Sequence, residues 1–274
     1  MDNTYLDRIH LRRRLIKEQH DSVVRCNPRA APAVTELYTW LMRIYLPTRY
    51  PTMFTLNTDS HNPPSNSLLN NITGEVIPLD LLSHDTALLE TIGSHIDADF
   101  TILLPDAEGK YVCEAFIFCF PSGFDMRAKF NLKLADIHSP VPGYSAKLEK
   151  SMDRFFSSLP IGKIVKRANW GISTTPDLFL QGGHHGQEGM LEVVDPDNTF
   201  VRCERQTLHR LPESKALVFA FKTYTYPIRR IKAEGSGEVL AEAIEGLGRG
   251  NVPGISGYKS VGRWGEGVKR FLRE

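Results

Sequence analysis

Apolar positions in this chain follow two rhythms, a helical one toward both ends and an extended one through the middle. After Pro32, the residues Val34, Leu37, Tyr38, Leu41, Ile44 and Tyr45 share one helical face, and Pro47 is expected to end that helix. Leu88, Leu89, Ile92 and Ile96 repeat the pattern from Asp85 onward, and Leu148, Met152, Phe155, Phe156 and Leu159 predict an amphipathic helix packed on the core. Further helices are predicted at 238–247 and around Trp264, Val268, Phe271 and Leu272. Residues 5–25 are charged and weakly periodic, and the run Arg12, Arg13, Arg14 reads as a solvated helix face.

The extended rhythm begins at residues 100–104, which with 111–120 flank the turn-forming PDAEGK as a β-hairpin. Alternation along its second strand puts Glu114 with Phe116, Phe118 and Phe120, and Cys113 with Ala115, Ile117 and Cys119 on the other face. Glu114 on an aromatic face needs a partner: an ion pair, or a pocket in which its pKa is raised. Residues 161–170 read as a strand with Val165, Arg167 and Asn169 on one side. Residues 199–209 and 216–226, joined by RLPESK, form a second hairpin, with Arg202, Glu204, Gln206 and Leu208 facing one way and Cys203, Arg205, Thr207 and His209 the other. Residues 57–71 and 171–196 have turn chemistry without a period and are expected to be loops, with His61 solvated. Hairpin, helix, strand, hairpin is the order of an α+β fold, an antiparallel sheet with helices on one side. The expected division is 1–98 as an N-terminal helical region and loop, 99–236 as the core and 237–274 as a C-terminal helical extension, the flanking helices wrapping the core.

Composition narrows the class. The 274 residues carry 33 basic and 32 acidic side chains, so no overall field favours nucleic acid or a membrane surface. An apolar fraction of 41% is enough for a sizeable core. Cys26, Cys113, Cys119 and Cys203 lack CxxC spacing and fit reduced thiols in a cytoplasmic protein better than a disulfide framework or a zinc site. Cys113 and Cys119 lie an even number apart and are expected on one strand face. No stretch approaches the roughly 20 continuous apolar residues of a membrane span.

Chemistry concentrates around His138. Pro140 and Pro142 fix their own φ and push Ser139 and Val141 toward extended backbone, so the imidazole is mounted on a stiff segment between an apolar strand and an apolar helix. That placement suits an axial ligand to a haem, which must be held in one direction against a large flat apolar group. A core histidine bonded to backbone is the other reading. His184 and His185 sit in a Gly-rich loop without metal-ligand spacing, and Gly246, Gly248 and Gly250 do not follow a strand, so neither a metal pair nor a dinucleotide fingerprint is assigned. The polar strand ERQTL requires internal pairing or a site role.

The motif IHSPVPGY, preceded by FPSGF and Lys129 and followed by RANW and ERQTLHRLP, resembles the haem-dependent oxidative N-demethylase alpha-subunit family, with the motifs in the family's order from about Tyr50 to the C-terminus. Phe124 stands where the family is expected to carry tryptophan. The resemblance implies a PAS-like antiparallel sheet with a central helix. It also implies haem b with its iron ligated by His138, and an oxygenase using molecular oxygen on a small amine-like substrate by N-demethylation or a related oxidation. Electrons are expected from a separate reductase, since no flavin, nicotinamide or cluster-binding run is present. Lys129 and Arg167 are the candidates for the haem carboxylates and Glu204 and Arg205 for the reaction side, with His209 the fallback ligand. A PAS-like haem or small-molecule sensor without turnover is the alternative.

Overall fold

Strand pairing sorts the chain into two antiparallel sheets. In chain order the strands are β1 (Val24–Cys26), β2 (Phe54–Asn57), β3 (Ser67–Asn70), β4 (Glu75–Pro78), β5 (Asp99–Pro105), β6 (Tyr111–Ile117), β7 (Val165–Ser173), β8 (Phe200–Arg210) and β9 (Leu217–Pro227). The larger sheet runs β1-β6-β5-β9-β8-β7 and the smaller β2-β3-β4. The computed structural model describes residues 1–58, 66–79, 85–182 and 194–274, so His61, His184 and His185 lie outside the described residues. Both predicted hairpins form, β5 with β6 and β8 with β9, and β5 pairs with β9 to join them. The mixed helix-and-sheet class stands, with the antiparallel sheet at its centre. The sheet that begins at Asp99 also takes β1 from the N-terminal region as its edge, paired with β6.

Both faces of this sheet are covered, where helices on one side were expected. On one face Ile102, Ala115, Ile117 and Val218 pack with Ile9, Leu37, Leu89 and Ile92 from the N-terminal helices. On the other, Leu103, Cys113, Phe116, Phe118 and Leu217 pack with Met126, Leu134 and Phe156. A β-bulge decides this sorting. Ile102 faces Ala115 but Leu103 faces Cys113, so Glu114 is an extra residue on β6 and the alternation flips there. Cys113 therefore joins Phe116 and Phe118, and Cys119 goes to the opposite core, correcting the expectation that the two thiols share a face. Phe120, expected beside Phe116 and Phe118, lies with Cys119, because β6 ends at Ile117 and the chain turns. Glu114 itself is buried and paired, accepting from Arg29 Nη1 at 2.9 Å and Asn27 Nδ2 at 2.6 Å.

Several helical expectations change on contact with neighbours. The helix Tyr5–Glu18 buries Arg8 and Arg12 one turn apart, so the basic run is not a solvated face. Arg12 is 0% exposed: it donates to Asp99 Oδ1 at 2.5 Å and to the Gly93 carbonyl at 2.8 Å. Gly93 lies so close to Ile117 that a Cβ would stand 2.6 Å from its Cγ1, which brings the helix Asp85–His95 flush against β6. Pro47 does not end the helix that follows Pro32. A wider π-type turn at Leu41–Tyr45 follows Ala31–Trp40, Pro47 falls in the first turn of Leu46–Arg49, and Ile44 is 55% exposed. Residues 67–70, expected in a loop, form β3, whose Leu68 is buried between β2 and β4. The helix Glu149–Ser158 packs Phe156 inward, but Leu148 and Phe155 are exposed. The C-terminal helices Gly237–Gly246 and Val261–Arg273 pack on β7 and β8 through Ala241, Ile244, Trp264, Val268 and Leu272, much as the periodicity predicts.

Two predictions follow from the buried polar groups. Removing Arg12 strands the Asp99 carboxylate in the core, so Arg12→Ala should destabilise the fold by about 3–5 kcal/mol in urea unfolding. Arg13→Ala, which removes a surface pair with Glu75 and one bond to the Ser94 carbonyl, should cost about 1 kcal/mol. His95 is buried and its Nδ1 lies 3.3 Å from the Asn70 amide donor, an arrangement that requires a lone pair on Nδ1. Burial pushes its pKa down to about 4, with Arg13 adding to the effect. Because the folded value is the lower, the unfolded chain binds the proton first. Stability is therefore full above about pH 6.5 and falls by about 3 kcal/mol as pH drops toward 4. Unfolding curves across that range should be steeper in pH for the wild type than for His95→Gln.

Candidate functional site

A cavity of about 380 Å³ opens between the sheet and the segment that follows β6, within the range of small-molecule sites. Leu103, Phe219, Phe221, Glu204, Gln206 and Arg167 form its floor. Phe124, Met126, Lys129, Leu134 and His138 come from the roof, and Tyr258 and Lys259 close one flank. The sheet supplies rigid floor positions because β5, β9, β8 and β7 are continuous neighbours.

His138 is mounted differently from the extended segment expected. It terminates the short helix Leu134–Ile137, and 138–143 is a run of turns in which the Val141 N–H donates to the His138 carbonyl at 2.8 Å. What orients the ring is local. The Leu134 carbonyl lies 2.8 Å from Nδ1, and the Tyr144 ring stacks on the imidazole at 4.6 Å and 10°. Gly143, at φ 71°, makes the reversal that delivers Tyr144 to that position. A carbonyl can only accept, so Nδ1 carries the proton and the lone pair sits on Nε2. Burial pushes the His138 pKa below its ordinary value, Lys129 and Arg167 push it further, and the Leu134 hydrogen bond opposes them.

Lys129 caps the same short helix, donating to the Ile137 carbonyl at 3.1 Å, and its Nζ lies 5.3 Å from the centre of the Phe124 ring. Arg167 donates from Nε to Gln206 Oε1 at 2.5 Å. Gln206 donates onward to Glu204 Oε2 at 2.9 Å, Asn169 reaches the same oxygen at 3.4 Å, and Lys259 donates to Asn169 Oδ1 at 3.1 Å. Glu204 is thus separated from Arg167 and from Lys259 by one carboxamide each. Arg202 is 3% exposed and donates to the carbonyls of Phe120, Pro121, Asp177 and Leu178 at 2.8–3.2 Å, while its Nε has no partner among the described residues. Burial pushes the pKa values of Lys129, Lys259, Arg167 and Arg202 down.

Four of the five residues singled out from sequence, His138, Lys129, Arg167 and Glu204, line one cavity. Arg205 does not join them: it is exposed, and strand alternation turns it away from Glu204. His209 also points away from the cavity, with its ring 5.7 Å from Trp40, so it offers no substitute for His138 there. Arg202 and Gln206 were legible as the face of β8 that carries Glu204. Tyr258 and Lys259 carried no such signal, because a tertiary contact brings them in: Lys147 Nζ donates to the Asn251 carbonyl at 2.6 Å and ties their loop to the roof.

The residues present fit a haem. One neutral imidazole offers Nε2, apolar and aromatic walls suit a flat macrocycle, and the cations Lys129 and Arg167 suit its carboxylates. Among the described residues no three His, Cys, Asp or Glu side chains converge to hold a bare metal ion. A family model described as haem-dependent oxidative N-demethylase, alpha subunit-like, matches residues 1–269.

The relay around Glu204 predicts a contrast. Glu204→Gln keeps an oxygen for the Asn169 and Gln206 amides and should lower stability by no more than about 1 kcal/mol, whereas Glu204→Leu leaves both amide donors unpaired and should cost about 1–3 kcal/mol. Exposed Arg205→Ala should stay within about 0.5 kcal/mol in the same thermal melts.

Proposed function

The chain belongs to the haem-dependent oxidative N-demethylase, alpha subunit-like family, and from that premise we propose that it is the haem-binding, oxygen-activating subunit of an oxygenase that demethylates a small methylated amine. The observation that carries this reading is the His138 imidazole, neutral, fixed through Nδ1 to the Leu134 carbonyl and lining an apolar cavity rich in cations. A PAS-like core over 99–236 is part of the proposal. The strand order β6-β5-β9-β8-β7, with the short helices between β6 and β7 crossing one face, supports it.

In this reading His138 Nε2 would hold the haem iron, and the Leu134 carbonyl raises the imidazole's basicity by holding the Nδ1 proton. Lys129 and Arg167, whose charges both act on His138, hold the haem carboxylates. Bound haem b supplies the reductive activation of molecular oxygen. Phe118, Phe124, Phe219 and Phe221 keep water from the reacting side. Glu204 is the one acidic side chain among the described cavity residues, and it binds the amine and holds its proton while Gln206 and Asn169 fix the carboxylate. For N-demethylation the methyl carbon leaves as formaldehyde, and the second oxygen atom leaves as water with two protons and two electrons. Those electrons come from a separate reductase. The four cysteines are free thiols, which supports a cytoplasmic setting.

The test pairs spectroscopy with turnover. The wild type should bind added haemin with a Soret band, and His138→Ala should lose or alter that band while melting within about 1–2 kcal/mol of wild type. The loaded wild type should consume oxygen with a panel of methylated amines only when a ferredoxin and its reductase accompany NADPH. A wild-type Soret band in His138→Ala overturns the ligand assignment. Reversible oxygen or carbon monoxide binding without turnover under any reductant moves the protein to the sensor class.

A further inference from the structure

We propose, resting on the reading above, that the substrate carries a carboxylate as well as its methylated amine: a zwitterion of the N-methyl amino acid class, bound between Glu204 and the Arg202–Lys259 pair. Among the described residues the cavity is lined by Lys129, Arg167, Arg202 and Lys259 against a single carboxylate, Glu204. None of the four cations has a carboxylate within ion-pairing distance among the described residues, so three of the four positive charges there are not offset by Glu204.

The cations divide between two ends. Lys129 and Arg167 act on His138, and the two carboxylates of a haem ligated there offset that pair. Arg202, opposite Gly171 in the register of β7 and β8, and Lys259, bonded at Asn169 and Trp170, lie on the other side of Glu204 from Arg167 and stay in excess by one charge after the haem is counted. Arg202 is 3% exposed with its Nε unpartnered, a buried donor waiting for an acceptor that the described residues do not provide. An alkylammonium ion would add a further positive charge to this end, and burying like charges together is costly. A zwitterion adds none. Its ammonium pairs with Glu204, and its carboxylate takes the charge-assisted bonds that Arg202 and Lys259 offer. The spacing suits a short molecule, because one carboxamide, that of Asn169, separates the Lys259 ammonium from the Glu204 carboxylate. Lys259 also donates to the Trp170 carbonyl, which holds its head at the cavity wall instead of in solvent. No reaction step changes: the same N-methyl group is lost, and the carboxylate is a handle.

The experiment is a calorimetric titration of the full chain, loaded with haemin, with N,N-dimethylglycine and with dimethylammonium chloride at one pH, the Soret band being recorded alongside. N,N-dimethylglycine should bind about tenfold or more tightly than dimethylammonium. Lys259→Gln, which retains a donor for Asn169, should erase most of that preference with an unchanged Soret band and melting curve. Dimethylammonium binding as tightly as N,N-dimethylglycine, or neither binding at all, overturns the proposal. Should the chain take up no haemin, the haem reading fails by the Soret band alone. The titration of the haem-free chain then still decides whether Arg202 and Lys259 select a carboxylate, because the preference belongs to the chain's own side chains.

Discussion

The Asp99 carboxylate is where the two halves of the molecule are tied together. One oxygen takes Arg12 Nη1 and the Cys119 N–H at 2.7 Å, and the other takes the Phe120 N–H at 3.0 Å. A carboxylate this deep is tolerable only because each of these donors reaches it, and removing any one would leave buried charge under-compensated. The pair joins the first helix to the first core strand across most of the N-terminal region. It also fixes where the chain goes after β6, since Cys119 and Phe120 lie between the strand and the roof of the cavity. Arg202 grips the same turn from the other side, through the Phe120 and Pro121 carbonyls. The roof that carries Lys129 and His138 is therefore suspended from a turn held by two buried cations, Arg12 through Asp99 and Arg202 directly.

How much of this was legible in the sequence depended on whether local pattern or tertiary contact decided the outcome. The hairpins were legible because PDAEGK and RLPESK interrupt strongly β-prone runs, and the helix Asp85–His95 because its buried residues recur at 3.6. Face assignments on β6 failed at Cys113, across the extra residue Glu114, and at Phe120, past the end of the strand, since alternation registers neither a bulge nor a turn. Arg12 read as solvated because a run of arginines says nothing about which one faces an acid far along the chain. Ile44 read as buried because a regular 3.6 period was assumed through Leu41–Tyr45, where the winding is wider.

The site was legible in the same uneven way. Strand alternation alone puts Glu204, Gln206 and Arg202 together and sends Arg205 and His209 to the other face, so adjacency in sequence was the misleading guide for the pair Glu204 and Arg205. The prolines around His138 did mark a constrained segment. The constraint that matters for the imidazole is instead the Leu134 carbonyl one helical turn earlier, with Tyr144 stacked on the ring. Lys259 and Tyr258 come from a Gly-rich linker whose composition announces only a loop, and their place in the cavity depends on how the C-terminal helices dock on β7 and β8.

Carboxamides stand between the charges of the cavity, Gln206 between Arg167 and Glu204 and Asn169 between Lys259 and Glu204. A direct contact of Glu204 with Arg167 or Lys259 would satisfy both partners and leave neither with capacity for a ligand. Interposing Gln206 and Asn169 holds each charge in place by hydrogen bonds while leaving the Coulomb energy of the site incompletely cancelled. Such an arrangement is less stable by itself than a closed ion pair in the same dry surroundings, and the depressed pKa values of Lys129, Lys259, Arg167 and Arg202 express that cost as desolvation. Charges kept apart in this way are set for anions that arrive from outside, and the helix packing, the Asp99 tie and the Arg202 grip supply the rigidity that keeps them from collapsing onto one another.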